Sequence, residues 1–186
     1  SIAFLAVKAE ESGLLGSAYY AQHPIVPLGK TVGGVNMDVL NVLGATKDFE
    51  ITGAGKSELE DMVKPLLAAQ GRTIAPESTP EKGHYFRSDH FSFAKFGVPM
   101  LSGASGEDLV NGGVAAGHAA AEDYVANRYH KPADEYNPNW DWSGAVQDLT
   151  VYYQLGRELA EGDKWPNWYP TAEFRAARDK SRAGAQ

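Results

Sequence analysis

The chain has 186 residues, of which 43% are hydrophobic and 22% charged, and its formal net charge is −7 at pH 7. These values are typical of an ordinary globular domain, and the acidic balance argues against nucleic acid or an anionic membrane surface as the main partner. The chain has no cysteine, so disulfides, thiolate zinc sites and cysteine nucleophiles are excluded. No segment reaches the roughly 20 apolar residues of a membrane span, and the first residues do not have the pattern of a signal peptide.

Strand-like and helix-like segments alternate along the chain. In chain order, the pattern predicts a buried strand over 2–7, a helix over 13–22, strands over 31–37 and 48–51, a helix over 58–70 with Ser57 as its N-cap, a strand over 72–75, a helix over 89–96, a strand over 98–101, and helices over 115–127 and 143–161. This alternation predicts an α/β fold of three layers, in which helices cover both faces of a mostly parallel mixed sheet.

Residues 1–163 are predicted to form the folded domain, and residues 164–186 a tail. The tail carries aromatic residues, Trp165, Trp168 and Phe174 among them, before a charged end. We expect the aromatic side chains to pack on the domain and the residues after them to fray.

Two adjacent carboxylates, Glu10 and Glu11, follow the first predicted strand. In an open α/β sheet, ligands bind beyond the carboxyl ends of the strands. Adjacent side chains diverge, so one carboxylate can bind a metal while the other acts as general base toward a water that the metal activates. A solvated acidic pair, favoured by a helix macrodipole, is the alternative.

Two further residues could bind a metal. Asp38 follows the strand predicted over 31–37, where an aspartate can either bind a metal or cap a turn. His130 begins a polar loop, in which Asp134 could orient its ring and the phenol of Tyr129 could stabilise an oxyanion. A solvated loop histidine is the alternative for His130.

Two apparent motifs fail on geometry or spacing. Ser88, Asp89 and His90 contain the residue types of a hydrolase triad, but neighbours on one turn point apart, so Ser88 or Asp89 is expected to cap a helix instead. The segment 53–57 ends like a phosphate-binding loop, but Glu50 stands where the first glycine is required.

Four motifs occur in a fixed order along the chain. They are AEESGLLGS at 9–17, NMD at 36–38, RSDH at 87–90 followed by GVP at 97–99, and YHKPAD at 129–134. In this order they resemble the co-catalytic dizinc aminopeptidase family, which also includes glutaminyl cyclases, glutamate carboxypeptidases and the transferrin receptor ectodomain. The resemblance extends from about residue 2 to the end of the helix predicted over 143–161.

The resemblance implies two zinc ions as cofactors. Glu11 and His130 would bind one ion, and Asp38 would bind the other. The family's first zinc histidine and its bridging aspartate lie in a His-x-Asp region upstream of the paired glutamates, and no such sequence occurs in this chain. We therefore expect a domain that lacks its amino-terminal portion and a dizinc site that is incomplete.

The resemblance also implies a function. The domain would be a metallo-aminopeptidase that hydrolyses N-terminal residues from peptides by a zinc-activated water, and its substrates would be peptides with a free N-terminus. Glu10 would be the general base, Tyr129 would stabilise the oxyanion, and Arg87 would contact a substrate or product carboxylate. A secreted or periplasmic location is expected from the resemblance alone.

Two other functions remain open at this point. One is a glutaminyl cyclase-like enzyme with a single zinc ion, and the other is a non-catalytic fragment or interaction domain on the peptidase scaffold. An uncovered sheet edge can pair with another chain, so a homodimer is a further expectation.

Overall fold

The computed structural model of the chain describes residues 1–184. The helices are α1 (Leu15–Gln22), α2 (Leu59–Ala69), α3 (His90–Ala94), α4 (Gly113–Asn127), α5 (Ser143–Glu161) and α6 (Arg175–Ala183), and the strands are β1 (Gly34–Asn36), β2 (Asp48–Ile51), β3 (Thr73–Ala75) and β4 (Met100–Ser105). Short 3₁₀ turns lie at Leu28–Lys30, Pro80–Lys82 and His84–Phe86. None of the helices in this part of the chain is long and apolar enough to cross a membrane.

The four strands form one mixed sheet in the order β1-β4-β2-β3. β1 pairs with β4 in parallel and β2 pairs with β3 in parallel, whereas β2 and β4 run antiparallel. The junction of the two parallel pairs sets Phe49 opposite Ser105. The sheet and its helices confirm the predicted α/β class.

Helices cover both faces of this sheet. Successive strand residues point to opposite faces, and Met100 and Leu101 of β4 show the two sides. Leu101 belongs to a core that α2 and α5 cover, whereas Met100 packs against a second core that contains Val98 and Leu28 beside α1 and α3. The three-layer arrangement follows from these two cores.

A buried ion pair connects the sheet to α5. Arg72 precedes β3 and Asp148 lies in α5; Nη1 and Oδ1 are 2.8 Å apart, and each side chain is 1% exposed. The other terminal nitrogen of Arg72 donates to the Asp48 carbonyl at 2.8 Å. The second carboxylate oxygen of Asp148 accepts from the backbone N–H and the hydroxyl of Ser105, both at 2.9 Å. One polar cluster therefore joins β2, β4, α5 and the start of β3.

The strand predicted over 2–7 is wrong. Residues 1–6 are exposed, with the Phe4 side chain 91% exposed, and the segment has no regular structure. A strand requires a neighbour that satisfies its backbone N–H and C=O groups. β1 lies at the sheet edge and pairs only with β4, and none of residues 1–184 pairs with 2–7. Apolar composition alone does not form a strand here.

The predicted N-cap of α2 is also wrong. The helix begins at Leu59, and no side chain caps it. Instead, the carboxylate of Glu60 accepts the N–H groups of Gly55 and Lys56 at 2.9 and 2.8 Å. Ser57 is buried and its backbone forms a bridge with Trp168. A carboxylate inside the helix thus satisfies the donors that precede it.

The fraying expected after the aromatic residues of the tail is absent up to residue 184, and residues 185 and 186 lie outside the described part of the chain. Trp168 and Phe174 are buried, and α6 follows them directly. The buried guanidinium of Arg178 donates to the carbonyls of Thr31 and Val32, both at 2.8 Å. These bonds fix the charged helix α6 to the domain. The division of the chain at residue 163 stays a prediction.

Removing the acidic partner of the buried ion pair should strongly lower the stability of the protein. Asp148→Ala leaves the Arg72 charge buried without its counter-charge, so we expect the free energy of unfolding to fall by about 3–5 kcal/mol. Urea unfolding measures this loss. The control Lys64→Ala breaks an exposed pair with Asp61 and should cost less than about 1 kcal/mol. Equal losses for the two variants would contradict the importance of the buried pair.

Candidate metal site

A closed turn over 8–16 carries Glu10 and Glu11. The Lys8 carbonyl accepts the N–H of Gly16 at 3.0 Å, so the chain returns close to itself before α1 continues. A Cβ at position 16 would lie only 2.4 Å from that carbonyl oxygen, so only glycine fits there. The turn holds both glutamates at the surface, with Glu10 the less exposed of the two.

The end of α4 brings His130 to Glu11. Nε2 of His130 lies 2.9 Å from Oε1 of Glu11, and both side chains are at least half exposed. The Tyr129 ring stacks on the imidazole with their centroids 3.9 Å apart. The backbone of Tyr129 is fixed by a hydrogen bond from its N–H to the Tyr124 carbonyl at 2.8 Å. Three residues that the resemblance places in the site are thus adjacent in space.

Asp38 is oriented from a different direction. The buried Ser88 hydroxyl donates to Oδ2 of Asp38 at 2.9 Å and accepts from the Asn36 amide at 2.8 Å. Asp89 takes the predicted N-cap position of α3, although no side chain of residues 1–184 makes a capping hydrogen bond there. The Ser88 hydroxyl is engaged with Asp38 instead, so it fixes a candidate metal ligand.

Glu10 lies in a strongly negative environment. Burial raises the pKa of Glu10, the carboxylates of Glu11, Asp38 and Asp89 raise it further, and His130 has the opposite effect. One carboxylate oxygen of Asp89 is buried without a hydrogen-bond partner among residues 1–184. A carboxyl group with a raised pKa suits general acid–base chemistry, and a bound cation would relieve the repulsion among these groups.

Backbone strain is concentrated in the same segments. Within residues 1–184, the non-glycine residues with positive φ are Ala9, Leu14 and His130, all near 60°. Such conformations are costly for residues with a Cβ and are concentrated at functional sites. Two of these residues flank the paired glutamates, and the third is the candidate ligand itself.

The sequence also predicted roles for Asp134 and Arg87. Asp134 accepts a hydrogen bond from the Tyr124 hydroxyl at 2.8 Å and makes none to His130, so its predicted role as the partner of His130 is wrong. The Arg87 side chain is exposed and makes no hydrogen bond or ion pair with residues 1–184. Its role in binding a carboxylate stays a prediction.

Glu11 and His130 carry donor atoms of the types that zinc accepts. Carboxylate oxygen and imidazole nitrogen are both zinc ligands, and a catalytic zinc ion usually takes three protein ligands. Within the described residues, no group of three or more His, Cys, Asp or Glu side chains is arranged to hold a metal ion. The donor types fit zinc, but Glu11 and His130 provide two protein ligands, one fewer than a catalytic zinc ion usually takes.

The sequence interpretation missed the roles of Ser88 and Asn36. Asn36 ends β1 and Asp38 lies two residues further along the chain, a spacing at which side chains share a side wherever the backbone is extended. That spacing could have indicated a common polar neighbour, although it could not have identified Ser88.

The fold and this cluster define an α/β domain with carboxylate and imidazole groups gathered on the loops beside its sheet. The model of peptidase family M28 matches residues 1–154, and the chain belongs to this family. The match confirms the resemblance that the four motifs carry.

The chain also has a distant similarity to an aminopeptidase of known structure. The aminopeptidase from Aneurinibacillus sp. strain AM-1 matches with a TM-score of 0.43 and 17% sequence identity. The match covers 83% of this chain but only 32% of that aminopeptidase. No curated protein matches the chain significantly.

His90, beside this site, is a buried group that should make the fold sensitive to acid. The ring is fully buried, and neither nitrogen has a hydrogen-bond partner among residues 1–184. Its ring centroid lies 4.7 Å from that of Tyr85. Burial lowers the pKa of His90 to about 4, although the nearby Tyr85 backbone and the negative charge of Asp38 act in the opposite direction.

The lowered pKa of His90 predicts a loss of stability between pH 6.5 and 4. The unfolded chain binds a proton at this histidine below about pH 6.5, whereas the folded chain does so only near pH 4, so stability falls as the pH drops through that window. Between pH 7 and 4.5, urea unfolding should show wild type losing about 2–3 kcal/mol more than His90→Leu. His84→Leu, which removes an exposed histidine whose side chain makes no hydrogen bond or ion pair with residues 1–184, should keep the wild-type loss. Parallel pH profiles for wild type and His90→Leu would show that His90 does not cause the loss of stability in acid.

Proposed function

We propose that this chain is part of the catalytic domain of a zinc-dependent aminopeptidase, which hydrolyses the first peptide bond of substrates with a free N-terminus. The contact between Glu11 and His130 beside Glu10 carries the proposal. Membership of family M28 supports a peptidase function for the domain.

Glu11 and His130 would hold one zinc ion, and Asp38 would hold the second. Their donor atoms suit zinc. Burial is the largest cause of the raised pKa of Glu10, and the neighbouring carboxylates raise it further, so a cation would neutralise negative charge there. The hydrogen bond from Ser88 keeps one oxygen of Asp38 engaged and leaves the other free for a ligand. When bound, zinc supplies Lewis-acid chemistry, since it polarises the scissile carbonyl and makes water more acidic.

The side chains of this chain would move the protons and stabilise the charge. Glu10 takes a proton from the attacking water and later delivers it to the leaving amine, which a carboxyl group with a raised pKa does efficiently. The Tyr129 phenol donates a hydrogen bond to the developing oxyanion. Stacking on His130 fixes the direction of the Tyr129 ring. The exposed Arg87 would bind a carboxylate of the substrate or product.

Zinc binding should depend on Glu11 and His130. After the chain is exposed to zinc and the excess removed, we expect elemental mass spectrometry to find bound zinc. His130→Ala and Glu11→Gln should each weaken zinc affinity by more than about tenfold, since even the loss of a residue that only supports a ligand costs that much. The matched control is His118→Ala, because His118 is also exposed and lies 2.9 Å from a glutamate, Glu107. Equal weakening by the control, or no zinc in any variant, would contradict the site.

Turnover should depend on Glu10 without a change in zinc content. In the protein as its source cell produces it, Glu10→Gln should lower the rate of cleavage of aminoacyl p-nitroanilides by at least about 100-fold, because general-base catalysis contributes that much. Zinc measured on the same samples should be unchanged.

Three outcomes would contradict this assignment. Near-normal cleavage by Glu10→Gln would exclude Glu10 as the base, and loss of zinc would indicate that Glu10 is a ligand. Cyclisation of glutaminyl peptides without release of an amino acid would replace the peptidase by a cyclase.

A further inference from the structure

A surface groove lies where α6 packs against the 3₁₀ turn Leu28–Lys30. Its volume is about 620 Å³. Pro27, Phe96 and Ala177 supply apolar lining, and the Phe96 side chain is 42% exposed. No candidate residue of the metal site lines this groove. An exposed aromatic ring in a concave surface provides contact area for a ligand.

The wall formed by α6 is held rigidly. Arg178 is fully buried, and its two donors to the Thr31 and Val32 carbonyls anchor the helix beside the 3₁₀ turn. The Gly97 backbone also packs against α6, so closely that a Cβ at position 97 would be 2.3 Å from the backbone nitrogen of Arg178. Trp168 adds a hydrogen bond from its indole nitrogen to the Gly97 carbonyl at 2.9 Å. A groove formed before binding spares a ligand the cost of ordering its walls.

Lysine side chains from three separate segments line this groove. Lys30 comes from the 3₁₀ turn, Lys95 follows α3, and Lys180 lies in α6. Within residues 1–184, none of the three makes an ion pair. The position of Lys180 is explained in part by the macrodipole at the end of α6, which a positive charge stabilises. The macrodipole does not explain the positions of Lys30 and Lys95. In a chain of net charge −7, the three amines create a local positive field.

We infer that this basic groove binds an acidic peptide segment of a partner protein. The lysines would face two or three carboxylates, and an apolar side chain of the peptide would pack on Phe96. Exposed ion pairs contribute little individually, so binding requires the apolar contact as well as the charges. Nucleic acid is disfavoured because its affinity depends on many phosphate contacts, and the groove offers only three amines. The wall formed by α6 lies beyond residues 1–154, which the family model matches, so this inference is independent of the proposed peptidase function.

The probe is a fluorescently labelled peptide, Glu-Leu-Glu-Glu-Leu-Glu, titrated with the whole chain and followed by fluorescence anisotropy. We expect binding at low salt that weakens as salt screens the lysines. The variant with Lys30→Gln, Lys95→Gln and Lys180→Gln should bind at least about tenfold more weakly, which is the ratio that 1.4 kcal/mol gives. Phe96→Ala should weaken binding without removing its salt dependence.

The matched control changes the same number of charges elsewhere, with Lys47→Gln, Lys64→Gln and Lys82→Gln. It should bind the peptide as wild type does, and circular dichroism should show that every variant is folded, since the substituted lysines are exposed. Equal loss in the control, or equal binding of a peptide with Gln in place of Glu, would overturn the inference. Stronger binding to phosphatidylglycerol vesicles than to the peptide would also overturn it, because a membrane surface would then be the partner.

Discussion

The buried ion pair between Arg72 and Asp148 is the constraint on which the sheet depends. Two buried charges lose their hydration, and this cost is offset only if every remaining donor and acceptor finds a partner. Here the partners are backbone groups at the junction of the two parallel strand pairs, the Asp48 carbonyl and the Ser105 N–H. A shift of β2 against β4 would leave one of these groups unpaired in the interior. The ion pair therefore selects one register for the antiparallel junction.

That register has a consequence for the candidate site. Within residues 1–184, β1 pairs only with β4, so the end of β1 is positioned by a strand that the ion pair fixes. Asn36 at this end and the buried Ser88 then orient Asp38. Glu11 and His130, by contrast, lie on exposed segments and meet at the surface. The candidate site thus combines Asp38, a candidate ligand on a rigid support, with a pair whose geometry depends on turns that contain residues with positive φ.

The sequence predicted elements well where the signal is local. The strand at 48–51 and the helix at 143–161 have the predicted bounds, since the helix repeats its apolar residues along one face and buries them. Strands that depend on a partner were harder to predict. The apolar segment 98–101 is buried, but β4 runs over 100–105, because its small residues Gly103, Ala104 and Ser105 pair with β2. Hydrophobicity identifies burial, whereas only the partner determines which backbone groups form a ladder.

The sequence predicted which residues of the candidate site meet, but not the electrostatic environment of Glu10. The order of the motifs implied that Glu11 and His130 belong together, and the structure places them in contact. The character of Glu10 could not be predicted in the same way. Its neighbour Glu11 is visible in the sequence, but burial, Asp38 and Asp89 also raise its pKa, and these arise only when separate loops meet. The raised pKa of Glu10 is therefore a property of the folded loops and not of the paired glutamates alone.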